Sequence, residues 1–429
     1  MIINQVVDLG KLKGLPGGTR NDIQIRTLKQ DALRLKRTAN MEFLLPLLQW
    51  LFLIPAVGGS IYGILCLFTI WLFRTQPPSS SPSSFSHWPP VTILKPVCGL
   101  EKNQKSNLRS ACLQDYPEFQ VVFSVQNYDD PALPALKEIQ QEYPERVAVV
   151  VENCGAGLNG KINNLLGALP HAHHDILVIS DSDIYLKPDY LKNIIPPLAD
   201  SRVGFVCTLY KATSANRWFE KMELLTLNAD FIPSVVFAYV TGAAKFCLGS
   251  SMAFRRSSLK EVGGLGALAD YLVEDYEMSR RLLVSGKRMV LAPYLVETVV
   301  DLKDLSQWWN HQVCWDQKTH AAEPLGFFAT IMTRSVPFAL LFAASRLGDA
   351  LGLAALGGTF ALRLATTALI VGWGLQDREG LKSIFLLPLR DMAALVSWVM
   401  ALTRKTVIWR GSKMTVTRNG RLAKWKSPW

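Results

Sequence analysis

The chain has 429 residues, 49% of them apolar and only 19% charged, with a net charge of +11. That length admits one large catalytic domain plus further elements, and the low charged fraction argues against a purely soluble protein. The surplus of cations suits nucleic acid or an anionic membrane surface, but the chain carries no RNP, zinc-knuckle or helix-turn-helix signature, so no nucleic-acid partner is expected.

Residues 1–40 hold eight Lys/Arg against three Asp. Positive charge keeps a chain end cytoplasmic, which would put whatever follows the first apolar run on the far side. A start at Met41 would leave only Glu42 before that run. Residues 1–40 are therefore expected to be an upstream extension, mis-called or disordered. Residues 43–73 form an uncharged apolar run. A bilayer core needs roughly 20 such residues, so a transmembrane helix is expected, with room for a bend at Pro55. The run is too long for a cleavable signal peptide. Residues 74–90 (RTQPPSSSPSSFSHWPP) read as a Pro/Ser linker.

From 91 to 322 the pattern alternates. Short β-rich runs (VTILKPV, FQVVFSV, VAVVV, DILVIS, VGFVCTLY) are separated by stretches with helical spacing. This is the signature of an α/β domain with a mainly parallel sheet, whose chemistry sits beyond the carboxyl ends of the strands. Residues 323–403 turn apolar again, in segments near 326–345, 350–375 and 382–402, each with an internal charge: Arg334, Arg363 and Arg390–Asp391. Two full crossings are expected, with the remaining segment in the interface beside the active site. Residues 404–429 carry eight Lys/Arg and no acid, a basic tail that anchors this end in the cytoplasm. Seven cysteines without a CxxC pair argue against a disulfide framework or a zinc site.

Four stretches carry chemistry. In ILVISDSDIYL, Asp181 and Asp183 end an apolar strand, where two carboxylates can share one divalent cation and the diphosphate it carries. A turn or cap is the competing reading. In YLVEDYEMSRRL, Glu274 and Asp275 open a helical pattern, as a cap or as a general base. In GLNGKINNLLGAL, a glycine-containing loop brings Lys161, Asn163 and Asn164 to a helix start that either binds an anion or is simply capped. In SQWWNHQVCWDQKTH, Trp308, Trp309 and Trp315 suit a membrane interface. His311 and His320 lack a third ligand nearby, so they are not expected to bind metal.

Taken in order, ILKPVCGLEKNQKSNL, SVQNYDDPA, GLNGKINNL, ISDSDIYLKPDYL, GSSMAFRR, VEDYEMS and WRGSKMTV resemble the ceramide glucosyltransferase family and its bacterial relatives, including hopanoid-biosynthesis glycosyltransferases. The resemblance covers about 91–320 and reappears at 409–416. It implies a GT-A-type fold and inverting transfer from a UDP-sugar to a lipid hydroxyl. The apolar runs add one N-terminal and two to three C-terminal membrane helices, and the basic tail with the nucleotide-sugar donor puts the catalytic domain on the cytoplasmic side. By resemblance, Asp181 and Asp183 hold Mg2+ or Mn2+ and the diphosphate, Asp275 is the catalytic base, and Lys161 with Asn163 lies near the donor. Trp315 ends the family's (Q/R)xxRW motif, which puts it on the donor, near the diphosphate and the acceptor entrance. Glu274, Trp308, Trp309 and His311 fall at the acceptor entrance.

Two positions depart from the pattern. Asn127, with Asp129 close by, stands where the family has an acid for the donor base, and Cys314 stands where an arginine precedes the tryptophan. A thiol cannot clamp a diphosphate as a guanidinium does; Lys318 or Arg334 would have to supply that charge. UDP-glucose and ceramide are the favoured pair. UDP-N-acetylglucosamine with a hopanoid, glucose with a glycerolipid, and a catalytically impaired membrane protein keeping the fold remain open. A processive polysaccharide synthase would need more crossings, and a polyprenyl-phosphate sugar transferase fits the late ED and tryptophan motifs poorly.

Overall fold

Five β-rich runs become strands at nearly the expected bounds: β1 Val91–Pro96, β2 Phe119–Val125, β3 Val147–Val151, β4 Ile176–Ser180 and, after the two-residue β5 Ile184–Tyr185, β6 Val203–Ala212. Two further strands, β7 Ser251–Arg255 and β8 Arg288–Thr298, complete an eight-stranded sheet of order β3-β2-β1-β4-β7-β6-β8-β5. The computed structural model describes residues 19–75, 87–244, 246–404, 406–409, 412–417 and 420–425. The β1–β2, β2–β3, β1–β4 and β6–β8 pairs are parallel. β7 inserts antiparallel between β4 and β6, and β5 pairs antiparallel with β8.

The central strands are buried on both faces, as continuous runs such as ILVIS require. On one face, Leu108, Leu136, Ile139, Tyr190 and Ile194 from short helices cover Ile93, Val121 and Val178. On the other, Ile162, Leu165, Val236, Leu259 and Leu282 cover Leu94, Val122 and Leu177. Ile70 and Phe73, from the end of the N-terminal helix, belong to this second layer, so that helix is part of the core.

The N-terminal helix runs from Thr19 to Thr75. The sequence places its start near 43; instead the helix begins inside the basic segment and continues through Pro46 and Pro55 without a break. Residues 1–18 and 76–86, the latter most of the Pro/Ser linker, lie outside the described residues. Arg74 donates to the carbonyls of Trp373 and Gly374 at 2.6 and 2.7 Å, a cation on the exposed carbonyls of a second helix end.

Among the described residues, four helices are long and apolar enough to cross a membrane: Leu44–Thr75, Trp218–Val240, Ala350–Gly374 and Arg378–Thr403. Pro324–Thr333 and Ser335–Ser345 form a pair bent by 60° that would make a fifth. The segment Trp218–Val240 does not stand out in the sequence because Glu220, Lys221, Glu223 and Asp230 interrupt its apolar pattern. Most of it faces protein, since 67% of its apolar window is buried.

The internal charges of the apolar segments pair with one another. Asp230 accepts from Arg363 at 2.6 Å and from Arg390, and lies 3.6 Å from Arg334. Asp391, fully buried, accepts from Arg363 and Arg390 at 3.0 and 3.1 Å. Arg334 sits at the break of the bent pair and also faces Asp316 at 3.8 Å. The described part of 404–429 is folded: β9 Thr406–Trp409, β10 Ser412–Val416 and β11 Leu422–Lys424 form an antiparallel sheet. Val407, Met414 and Leu422 pack on Leu272 and Cys314 of the catalytic domain.

Gly59 lets the N-terminal helix meet its neighbours closely, the small-residue device of helix pairs in membranes. A Cβ at Gly59 would lie 2.2 Å from the Met332 carbonyl oxygen and 2.7 Å from Ser335 Cβ. Gly59→Leu is expected to cost about 1–3 kcal/mol through overpacking, read as a lower thermal midpoint in detergent. Gly357→Leu, where a Cβ meets nothing within 4 Å, should leave the midpoint unchanged.

Candidate active site

β4 ends at Ser180, so Asp181 lies immediately beyond its carboxyl end, and β5 begins at Ile184. The intervening Asp181–Ser182–Asp183 is a short turn tied to the Gly249 loop by Asp181 N donating to Ser250 O at 3.0 Å. Beneath the turn lies Lys95 of β1, fully buried, whose ammonium donates to the carbonyls of Asp181 and Ile184 at 2.7 and 2.9 Å. Burial lowers the Lys95 pKa to about 8, against the pull of Asp183, Asp181 and Glu101. Asn107 donates to Asp183 O at 3.0 Å and Thr298 to its carboxylate at 3.2 Å. Burial, then the charges of Asp181 and Glu101, push the Asp183 carboxyl up to about 6.

The second half of the site is the start of the Glu274–Val284 helix. Asn159 caps the Gly160–Ala168 helix by accepting from Ile162 N at 3.2 Å, and its amide donates to Glu274 at 3.0 Å and to Tyr271 O at 2.9 Å. Lys161 then joins the two halves: its ammonium lies 2.7 Å from Asp181 and 3.3 Å from Glu274, and donates to Gly249 O at 2.9 Å. Burial opposes the Lys161 charge, but Asp181, Glu274 and Asp275 more than offset it and raise its pKa.

The Asp275 carboxylate accepts from Gly249 N at 2.7 Å and from Tyr276 N at 2.8 Å. Burial, followed by the Glu274 charge, raises it to about 6 against the opposing Lys161. Tyr210, at the carboxyl end of β6, faces the same carboxylates. Burial, then Asp275, Asp183 and Asp181, raises its phenol well above the ordinary value.

Asp181 and Asp183 fit one divalent cation. Their mutual repulsion is relieved only in part by Lys95 and Lys161, and oxygen donors suit Mg2+ or Mn2+. No group of three or more His, Cys, Asp or Glu among the described residues is placed to hold an ion. The protein would thus supply the two aspartates, with diphosphate and water supplying the rest.

The other expected site residues divide. Asn127 and Asp129 are exposed just past β2, at the same edge of the sheet. The neighbouring Asp130 takes the structural work, accepting from Gly99 N and Ala132 N. Asn163 accepts from Ala156 N at 3.1 Å and donates to Gly157 O at 3.0 Å, so both ends of its amide brace the loop ahead of Lys161 rather than face a donor. Trp308 is corrected from the entrance to the core: it is 3% exposed among Phe219, Met222 and Leu302, because its helix turns this face onto the domain.

Trp309 and Trp315 are half-buried against that cluster. Trp315 meets Phe231 edge to face with ring centroids 5.3 Å apart and lies tilted to His311 at 5.5 Å, and His311 bonds Glu223 at 2.8 Å. Cys314 is buried in the apolar cluster under the C-terminal sheet; burial raises its thiol, opposed by the Lys318 charge. Arg334 is committed to Asp230 and Asp316, which argues against it as the replacement diphosphate clamp.

A mainly parallel sheet with carboxylates gathered beyond its strand ends is compatible with a glycosyltransferase of GT-A fold, and the likeness to known proteins establishes that class. A mannosyltransferase from Pyrobaculum calidifontis in complex with GDP-Man and Mn2+ has the same fold: the likeness covers 83% of this chain and 99% of that one, with a TM-score of 0.52 and 20% identity. The family model Glycosyl transferase family 21 matches residues 51–422, and the chain belongs to that family. Its relatives include Ceramide glucosyltransferase 1 of Caenorhabditis elegans, 22% identical over 361 residues covering 78% of this chain and 73% of the relative. The ceramide glucosyltransferase of Gibberella zeae is 31% identical over 180 residues, covering 37% of this chain and 34% of that one.

Lys95, Asn159, Tyr210 and Gly249 escaped the sequence reading. A lysine inside the apolar run VTILKPV breaks the strand's pattern and could have flagged the first. Gly249 is required by close approach: a Cβ there would sit 2.6 Å from the Asp275 carboxylate. Gly249→Ala is expected to lower turnover by about 100-fold by displacing Asp275, with the thermal midpoint nearly unchanged; steady-state kinetics beside a melting curve checks it.

Proposed function

We propose that the protein is a membrane-bound inverting hexosyltransferase that moves glucose from UDP-glucose to the hydroxyl of a lipid such as ceramide. The observation that carries the reading is Lys161, one ammonium shared between Asp181 on the diphosphate side and the Glu274–Asp275 helix start. It fixes the spacing between a leaving group and a base. The apolar helices around the domain and the ceramide glucosyltransferase relatives support the lipid acceptor. The eight Lys/Arg in 404–429 support a catalytic domain on the cytoplasmic side.

In the reaction, the acceptor oxygen forms a bond to the anomeric carbon as the bond from that carbon to the diphosphate oxygen breaks. The acceptor proton passes to Asp275. Its two backbone donors hold the carboxylate in one orientation, and its raised affinity for a proton matches it better to a base's task near neutral pH. Mg2+ or Mn2+ held by Asp181 and Asp183 would neutralise the leaving diphosphate. Lys161 adds a fixed positive charge, and Glu274 with Asn159 keeps that lysine in place. Half-buried Trp309 and Trp315 would line the entry of an apolar acceptor in this reading.

Since Asp275 is protonated below about 6, kcat/KM should fall tenfold per pH unit on the acid side of that value and level off above it. Asp275→Asn should lower kcat by about 100-fold or more and leave UDP-glucose binding nearly intact. The direct assay is purified protein with Mn2+, UDP-glucose and ceramide, with the glycolipid detected by mass spectrometry and UDP-N-acetylglucosamine as the competing donor. Absence of transfer from either donor to any lipid tested would overturn the reading.

A further inference from the structure

The segment just before the catalytic helix is held from two sides. On one side lies the C-terminal sheet: Leu422 N donates to Asp270 O at 2.6 Å, Leu272 N donates to Gly420 O at 3.0 Å, and Arg421 pairs with Tyr271. On the other lies the loop that carries Lys161: Asn159 N donates to Ala269 O at 2.8 Å and Leu158 N to the Asp270 carboxylate at 3.0 Å. Residues 269–272 are therefore a rung between the sheet and the active site.

The sheet's apolar residues Val407, Met414 and Leu422 point inward, while Arg404, Lys413, Arg421 and Lys424 are exposed. The Lys413 ammonium lies 3.9 Å over the ring of Trp425, which is 38% exposed. An aromatic beside a lysine suits a boundary that is apolar on one side and wet on the other. The preceding helix exposes Leu389, Val396, Val399 and Leu402, a spacing that lines one helical face. That apolar stripe stops two residues before Arg404. β9 starts at Thr406, and so few residues can span only about 10 Å, so the basic sheet begins where the lipid-facing stripe ends.

We propose that the C-terminal sheet docks on anionic lipid headgroups, and that this contact orders residues 269–275 and raises turnover. The proposal rests on the membrane placement argued above. Charge complementarity selects the partner: residues 404–429 contain no acid, and a basic side chain near an anionic surface contributes about fivefold in binding.

The test uses the full chain in nanodiscs of phosphatidylcholine alone or mixed with phosphatidylserine. It measures deuterium uptake in 269–276 and 406–425 beside glucosyl transfer. Phosphatidylserine should slow exchange in both segments by about fivefold or more and raise transfer, and high salt should remove both effects. The variant K413Q/K424Q should match the wild type in neutral lipid and lose most of the response to phosphatidylserine. Equal exchange in the two lipids overturns the proposal, whatever the turnover. Exchange that responds to phosphatidylserine without any transfer in either lipid supports the surface and counts against the enzymatic reading instead.

Discussion

Four carboxylates, Asp181, Asp183, Glu274 and Asp275, meet at one edge of the sheet, and two largely buried ammonium groups make that possible. Lys95 holds the Asp181–Asp183 turn from below through its carbonyls, and Lys161 joins the turn to the catalytic helix. Without them the desolvated carboxylates would take up protons rather than remain charged. Some of that tendency persists, since Asp183 and Asp275 are both raised to about 6. In the proposed reaction the residual negative charge would attract the cation and the raised Asp275 would serve as the base, so one electrostatic imbalance would serve both halves.

The parallel half of the sheet was legible in the sequence because its strands are buried on both faces and read as unbroken apolar runs. β7 and β8 were not. SMAFR is short, and RMVLAPYLVET alternates burial irregularly, with a proline and a register shift where it pairs with β6. The folded C-terminal sheet escaped for a different reason. Its apolar residues are only a few among many cations, and their partners, Leu272 and Cys314, are distant in sequence.

The site was legible where chemistry requires charge. DSD, the lysine after GLNG, and ED stand out, and the fold brings all three together. Residues whose function lies in geometry left weaker marks. Gly249 matters for the side chain it lacks, and Asn159 for linking a helix cap to Glu274. Conversely, Asn163 and Trp308 have the expected residue type in the expected motif, yet their side chains are spent on the protein itself.

Charges inside the apolar segments looked in the sequence like weaknesses in membrane helices. In the structure Arg363, Arg390 and Arg334 converge on Asp230, Asp391 and Asp316, three cations against three anions. Such a network gains little net stability over an apolar core, but breaking one partner leaves an uncompensated buried charge at a cost of about 3–5 kcal/mol. It therefore specifies registry. Asp230 belongs to the helix beneath the sheet, and Asp316 follows Trp315 on the helix Leu305–Ala322. The cations come from the apolar helices, so these cannot slide against the catalytic domain without exposing a charge to lipid. Trp315, one residue before Asp316, is in this way held at a fixed height relative to the apolar helices.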